Sequence, residues 1–208
     1  MSNESREKIA KGALELFLSQ GIKTVTMDRI AAALSMSKRT IYENFSDKED
    51  LVSACLCLFK RLSDEKRIEF EQTSENSFVF LLRMFRFGFV TLRRINVNFF
   101  RDIDLLFPDH VKRVKLHRPA QIAQFQSLIE KSQNEGYIMS SLNADELAMI
   151  YYGMMTSLRD DETYDFNKIS PYEIFKTMCS IYFRGIVTEK GVVLTNQYLK
   201  ELENSDNN

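Results

Sequence analysis

The chain has 208 residues, 44% apolar and 27% charged, with three prolines and seven glycines, enough for a real core and long helices in one or two domains. Three cysteines argue against a disulfide framework and for a reducing cytoplasm, the polar start Met1-Ser-Asn-Glu-Ser-Arg-Glu-Lys is no signal peptide, and the apolar stretch 78–92 is too short and too charged to span a bilayer. The net charge of -1, with eight Lys/Arg and eight Asp/Glu in residues 1–50, argues against a strong non-specific nucleic-acid binder, so any DNA affinity must come from where the charges sit.

In chain order, Ile9, Ala10, Ala13, Leu14, Leu16 and Phe17 share one apolar helical face. Gly21 ends that helix, because glycine accepts the left-handed C′ conformation. Thr26 can cap a second helix that uses Met27, Ile30, Ala31 and Leu34 for packing. Ser35-Met36-Ser37 is a turn, and Ser37 caps a third helix, Lys38 to Phe45. There Ile41 and Phe45 point inward, so Lys38, Arg39, Thr40, Tyr42 and Asn44 project outward or toward the helix start. Ser46-Asp-Lys-Glu49 reads as a capping box opening a fourth helix, about 47 to 71. Its free amides and Lys48 suit a DNA phosphate.

Two short helices joined by a tight turn are a device for placing one helix in the DNA major groove. The ordered run Gly21, Thr26, Ile30, Ser37-Lys-Arg-Thr-Ile-Tyr, Phe45, Lys48 and Leu51 resembles the DNA-binding domain of the TetR family of bacterial transcriptional regulators. The resemblance implies phosphate contacts at Tyr42 and Lys48, with Thr26 beside them, and a base-reading edge at Lys38, Arg39 and Thr40. Ser37 and Asn44 complete the candidate DNA-binding set. Two positions depart from the family pattern. Asn44 stands where His, Phe or Tyr is usual, and Arg39 where Gly is commonest. An arginine can bond bidentately to guanine.

Downstream, 11 of the 15 residues from Phe78 to Leu92 are apolar, which marks a helix buried on most sides. Arg83 and Arg86 interrupt it, and each needs a partner if buried. They reach the surface or pair with acids, or Arg86 meets an acidic effector in a pocket. Residues 83–118 hold nine Lys/Arg against three Asp/Glu, a solvated face or an attractor of anions. Pro108 starts a helix, Pro119 kinks or breaks that helix, and 122–134 is a further helix stopped by Gly136. Asn143 caps a helix with Leu147, Ile150, Tyr151, Met154 and Leu158 on one face. Ser170-Pro-Tyr-Glu173 caps another with Ile174, Met178, Ile181, Tyr182 and Gly185. These faces are core or, as the family resemblance implies, a four-helix dimer interface.

Catalytic and metal signatures are missing. Cys55 and Cys57 face different ways on a helix, His110 and His117 lack further ligands at metal spacing, and no phosphate loop, dinucleotide glycine motif or serine elbow occurs. No enzyme activity, metal or cofactor is expected.

The expectation is an all-α protein with a helix-turn-helix domain at 3–50, a helical effector-binding and dimerisation domain at 51–203, and a disordered polar tail at 204–208. Its function is that of a cytoplasmic, homodimeric regulator, a repressor released from a palindromic operator by a small apolar or amphipathic effector. The candidate pocket is Phe85, Arg86, Phe89, Phe100 and Tyr151. The candidate dimer interface is Ile150, Met154, Leu158, Ile174, Met178, Ile181 and Tyr182. Two alternatives stand beside this: control by a protein partner or by no effector, and a helical interaction protein without specific DNA binding.

Overall fold

A computed structural model describes residues 3–158, 164 and 168–206. Among them the regular structure is helical: α1 (Asn3–Gln20), α2 (Met27–Ala33), α3 (Lys38–Asn44), α4 (Lys48–Thr73), α5 (Ser77–Arg93), α6 (Val97–Leu106), α7 (Pro108–Asn134), α8 (Ala144–Ser157), α9 (Pro171–Ile186) and α10 (Glu189–Asp206). One antiparallel bridge joins Ile138 and Val187. No described helix is long and apolar enough to cross a membrane.

The chain forms two compact units. The first comprises 1–68 and 94–111, the second 69–93 and 112–208. These bounds differ from a division at residue 51. The reason is burial: Leu51, Val52, Cys55, Leu56 and Leu58 of α4, with Phe99 and Ile103 of α6, complete the core built on Ile9, Phe17, Ile30, Ile41 and Phe45.

Local chemistry sets the ends of the first helices. Gly21 takes φ +83° and its amide returns to the Phe17 carbonyl at 2.9 Å, as a C′ glycine does. Thr26 accepts the Arg29 amide at 3.2 Å and Ser37 the Thr40 amide at 3.0 Å. Ser35 takes φ 54° in the turn. The start of α4 falls one step later than the expected box. Asp47 accepts the Asp50 amide at 2.8 Å, and the Asp50 carboxylate accepts the Ser46 amide at 3.2 Å. Asp47 and Asp50 therefore fill the roles assigned to Ser46 and Glu49.

The second unit packs α5 against α9 and α10, and α8 against α9. Its core is aromatic: Phe85 meets Phe183 at 4.2 Å between centroids, Phe89 meets Phe175 at 4.9 Å, and Phe78 stacks on Tyr137 at 5.4 Å. Asn143 caps α8 by accepting the amides of Asp145 and Glu146. Ser170 precedes α9 with Pro171 at N1 and makes no side-chain cap bond, so the expected capping box there is absent.

Three further expectations are corrected. Pro119 lies inside α7, which is one helix rather than two. A proline deletes one backbone bond and crowds the carbonyl four residues earlier; here Pro119 and Lys115 are both exposed, so the interruption falls on a solvent-facing part of the helix. The polar tail is not disordered throughout, because α10 runs to Asp206; 207 and 208 lie outside the described residues. Tyr182 is turned into the core of its own chain rather than toward the exposed side of α9. It is buried, and its hydroxyl donates to the Leu147 carbonyl at 2.9 Å.

Candidate nucleic-acid interface

The seven-residue helix α3 carries the candidate site. Ile41 is fully buried and Phe45, its C-cap, is 1% exposed, which anchors one side of a helix too short to persist alone. The opposite side carries Lys38, Arg39 and Tyr42, all exposed. Thr40 sits between them, half-buried, its hydroxyl 2.8 Å from that of Ser37.

Both cations of this edge are held by carboxylates. Lys38 Nζ lies 2.7 Å from Asp28 in the first turn of α2, and Arg39 Nε donates to Glu43 at 2.8 Å. The hydrogen bond and charge of Asp28 raise the Lys38 ammonium above its ordinary pKa, and those of Glu43 do the same for Arg39. Both cations thus stay charged at any physiological pH.

Asn44 is turned back on its own helix, donating from Nδ2 to the Thr40 carbonyl at 2.8 Å. Its carbonyl accepts from Arg6. Arg6 also bridges to Asp50 at 2.7 Å and lies 4.1 Å over the Phe45 ring. This arginine, absent from the sequence-based candidates, ties α1 to the end of α3 and the start of α4. Its only signal was a charged residue one turn ahead of an apolar face.

Thr26 is exposed, and Lys48 is half-buried at the start of α4. Burial pulls the Lys48 ammonium below its ordinary pKa, while the charge of Asp102 pulls the other way. Asp102 is itself buried on α6 and accepts the Lys23 amide at 2.7 Å. The α1–α2 turn is thus held from α6, which also receives the chain where the Asn96 amide bonds the Leu18 carbonyl.

In the second unit, Phe85, Arg86 and Phe89 line a cavity of about 20 Å³ with Leu82, Phe183 and Tyr198, room for about one water. Tyr151 is one ring away, 5.0 Å from Phe85 and stacked at 4.3 Å on Phe125. Phe100 is not brought to this group; it packs in the first unit against Phe99. Arg86 is half-exposed and pairs with Glu201 at 2.7 Å. Ile150 and Ile181 are exposed at 53% and 69%, with Met149 at 54%. Met154, Leu158, Ile174 and Met178 are half-buried.

Comparison with known proteins agrees with this geometry. Residues 9–55 match the family described as bacterial regulatory proteins, tetR family. HTH-type transcriptional regulator SAS2464 of Staphylococcus aureus (strain MSSA476) is 24% identical over 212 residues, covering 99% of this chain and 98% of that protein. The fold is shared with a TetR-family regulator from Agrobacterium tumefaciens (TM-score 0.68, 14% identity, 89% and 98% of the two chains). It is shared too with the TetR-family protein CprB from S. coelicolor A3(2) (TM-score 0.67, 20% identity, 97% of each). These likenesses favour the DNA-binding reading of the N-terminal motif over a helical interaction protein without specific DNA binding. Residues 9–55 are thus similar to the DNA-binding domain of the TetR family of transcriptional regulators, and the chain shares the fold of that family's solved members.

Proposed function

We propose that the protein is a homodimeric repressor that reads a palindromic operator with α3 and releases it when a small apolar or amphipathic molecule binds the second unit. The observation that carries the DNA half is the face of α3: Lys38, Arg39 and Tyr42 exposed on a helix pinned by Ile41 and Phe45. Arg39 and Lys38, with Thr40, read base edges, while Tyr42, Lys48, Thr26 and Ser37 contact the phosphate strand and set register. Asn44 contributes by holding the end of α3 rather than by reaching outward.

Dimerisation is supported by the open apolar face of α8 and α9. Met149, Ile150 and Ile181 are more than half exposed, and a Cβ added at Gly153 or Gly185 would meet nothing within 4 Å. A second copy covers such a face at low cost, and one helix-turn-helix reads too few base pairs to be specific. Met154, Leu158, Ile174 and Met178 flank it; Tyr182 does not take part. The effector is supported by the apolar lining of the small cavity beside α5, which must widen to admit a ligand. Arg86, paired with Glu201, stands at its rim rather than awaiting an acidic ligand.

Selection of binding sites from a random DNA library by the purified protein, at near-physiological salt, tests this. The expected result is an inverted repeat bound by two chains. A single unpaired element, or one chain per site, would overturn the dimeric reading.

A further inference from the structure

We infer that Glu43 is a positioning residue for Arg39 and a determinant of operator sequence. The inference rests on α3 being the reading helix. Arg39 and Glu43 lie one turn apart on its exposed side, and the contact runs from Nε to Oε1 at 2.8 Å. The guanidinium side chain remains 88% exposed. A bond at Nε leaves the terminal Nη1/Nη2 edge for a guanine, whose O6 and N7 match that fork. A long arginine with no such partner must be immobilised by the base itself, at the expense of its rotamer freedom. Holding it in advance from the same short helix makes its direction a property of the protein.

Glu43 is otherwise hard to account for at this place. A carboxylate on a surface facing phosphates repels them, and an exposed pair of this spacing contributes little to helix stability. The neighbouring Lys38–Asp28 pair supplies the contrast. A lysine ammonium is a point charge with rotatable donors and carries no fork to aim. Asp28 therefore tempers charge, whereas Glu43 sets direction. The two roles differ in their effect: loss of Asp28 raises affinity and leaves the preference at the base pair read by Arg39 unchanged, but loss of Glu43 raises non-specific affinity while eroding the preference for that one base pair in each half-site.

Binding sites are selected in parallel with the full chain and with Arg39→Ala, Glu43→Ala, Glu43→Gln and Asp28→Asn, and the affinities of single-base variants are then measured. Arg39→Ala identifies the base pair it reads, with a preference of about 5- to 150-fold in the unsubstituted chain. At that pair alone, Glu43→Ala is expected to lower the preference about two- to tenfold. Glu43→Gln, which keeps an acceptor for Nε, restores part of it. Glu43→Ala added to Arg39→Ala changes no base preference further. An unchanged preference at that pair in Glu43→Ala overturns the inference while leaving the DNA reading intact. No enriched sequence for the unsubstituted chain overturns the DNA reading, and this inference with it.

Discussion

Replacing Asp102 with alanine tests how α6 holds the DNA-binding unit. The carboxylate is 6% exposed, accepts the Lys23 amide at 2.7 Å, and supplies the charge that opposes the burial of Lys48. A hydrogen bond to a charged acceptor contributes about 1.5–3 kcal/mol net. Alanine also orphans the Lys23 amide and removes the counter-charge of Lys48, so the first unit should lose about 2–4 kcal/mol in all. Hydrogen exchange read by mass spectrometry localises the effect. The peptide containing Lys23 should exchange about 10- to 150-fold faster, and peptides of α9 in the other unit should not change. Aspartate-to-asparagine keeps an acceptor and should show a smaller effect. Unchanged exchange at Lys23 in the alanine variant would refute the clasp.

Other expectations rest on single contacts. Gly191→Ala would place a Cβ 2.3 Å from the Tyr137 carbonyl oxygen and 2.9 Å from the Val187 Cβ; backbone cannot swing aside, so thermal unfolding should report a loss of about 1–3 kcal/mol. Burial pushes Asp50 up, but the hydrogen bonds from Arg6 and the Ser46 amide, with the Arg6 charge, hold it below its ordinary pKa. A depressed carboxylate adds stability above its unfolded pKa near 4 that is lost as pH falls through the folded value. The stability gap between the unsubstituted chain and Asp50→Asn should therefore be present at pH 7, within about 1 kcal/mol, and shrink in denaturation curves taken below pH 4. Of the three thiols, Cys57 is exposed, while burial pushes Cys55 up to about 12 and raises Cys179 as well. A thiol reagent at pH 8 should modify one cysteine per native chain and three after unfolding.

The helix-turn-helix was legible because its information is local. Gly21, Thr26 and Ser37 are punctuation at helix ends, and Ile41 with Phe45 fixes which side of α3 faces out. Asn143 announced α8 in the same way. Two helices escaped because their burial pattern departs from their hydrophobic pattern. Helix α6 turns a charged residue, Asp102, into the core beside Phe99 and Ile103, so the apolar period is broken by the residue that clasps the turn; Asn96 as its cap and the four-residue spacing of Phe99 and Ile103 were the remaining signals. Helix α10 packs Leu194, Tyr198 and Leu199 on the core but also buries Gly191 and Thr195 and exposes Val192 and Val193, which blurs its amphipathic pattern.

At the site, residue types were readable and their partners were not. Nothing in the spacing says that Asp28 reaches Lys38 from another helix, or that Arg6 ties Asn44 and Asp50 from 38 and 44 residues away. Phe100 and Phe85 look alike in sequence and fall in different units, since that depends on which core closes over each.

The most direct measurement is the affinity for a selected operator of the unsubstituted chain and of Arg39→Ala combined with Tyr42→Ala. Both substituted side chains lie on the exposed face of α3, so helicity and association state should be preserved. Each of the two lost contacts should cost about 1–3 kcal/mol, so the predicted result is binding weakened by at least about thirtyfold, with less discrimination between operator and random DNA. Equal affinity in a folded variant would contradict α3 as the reading helix.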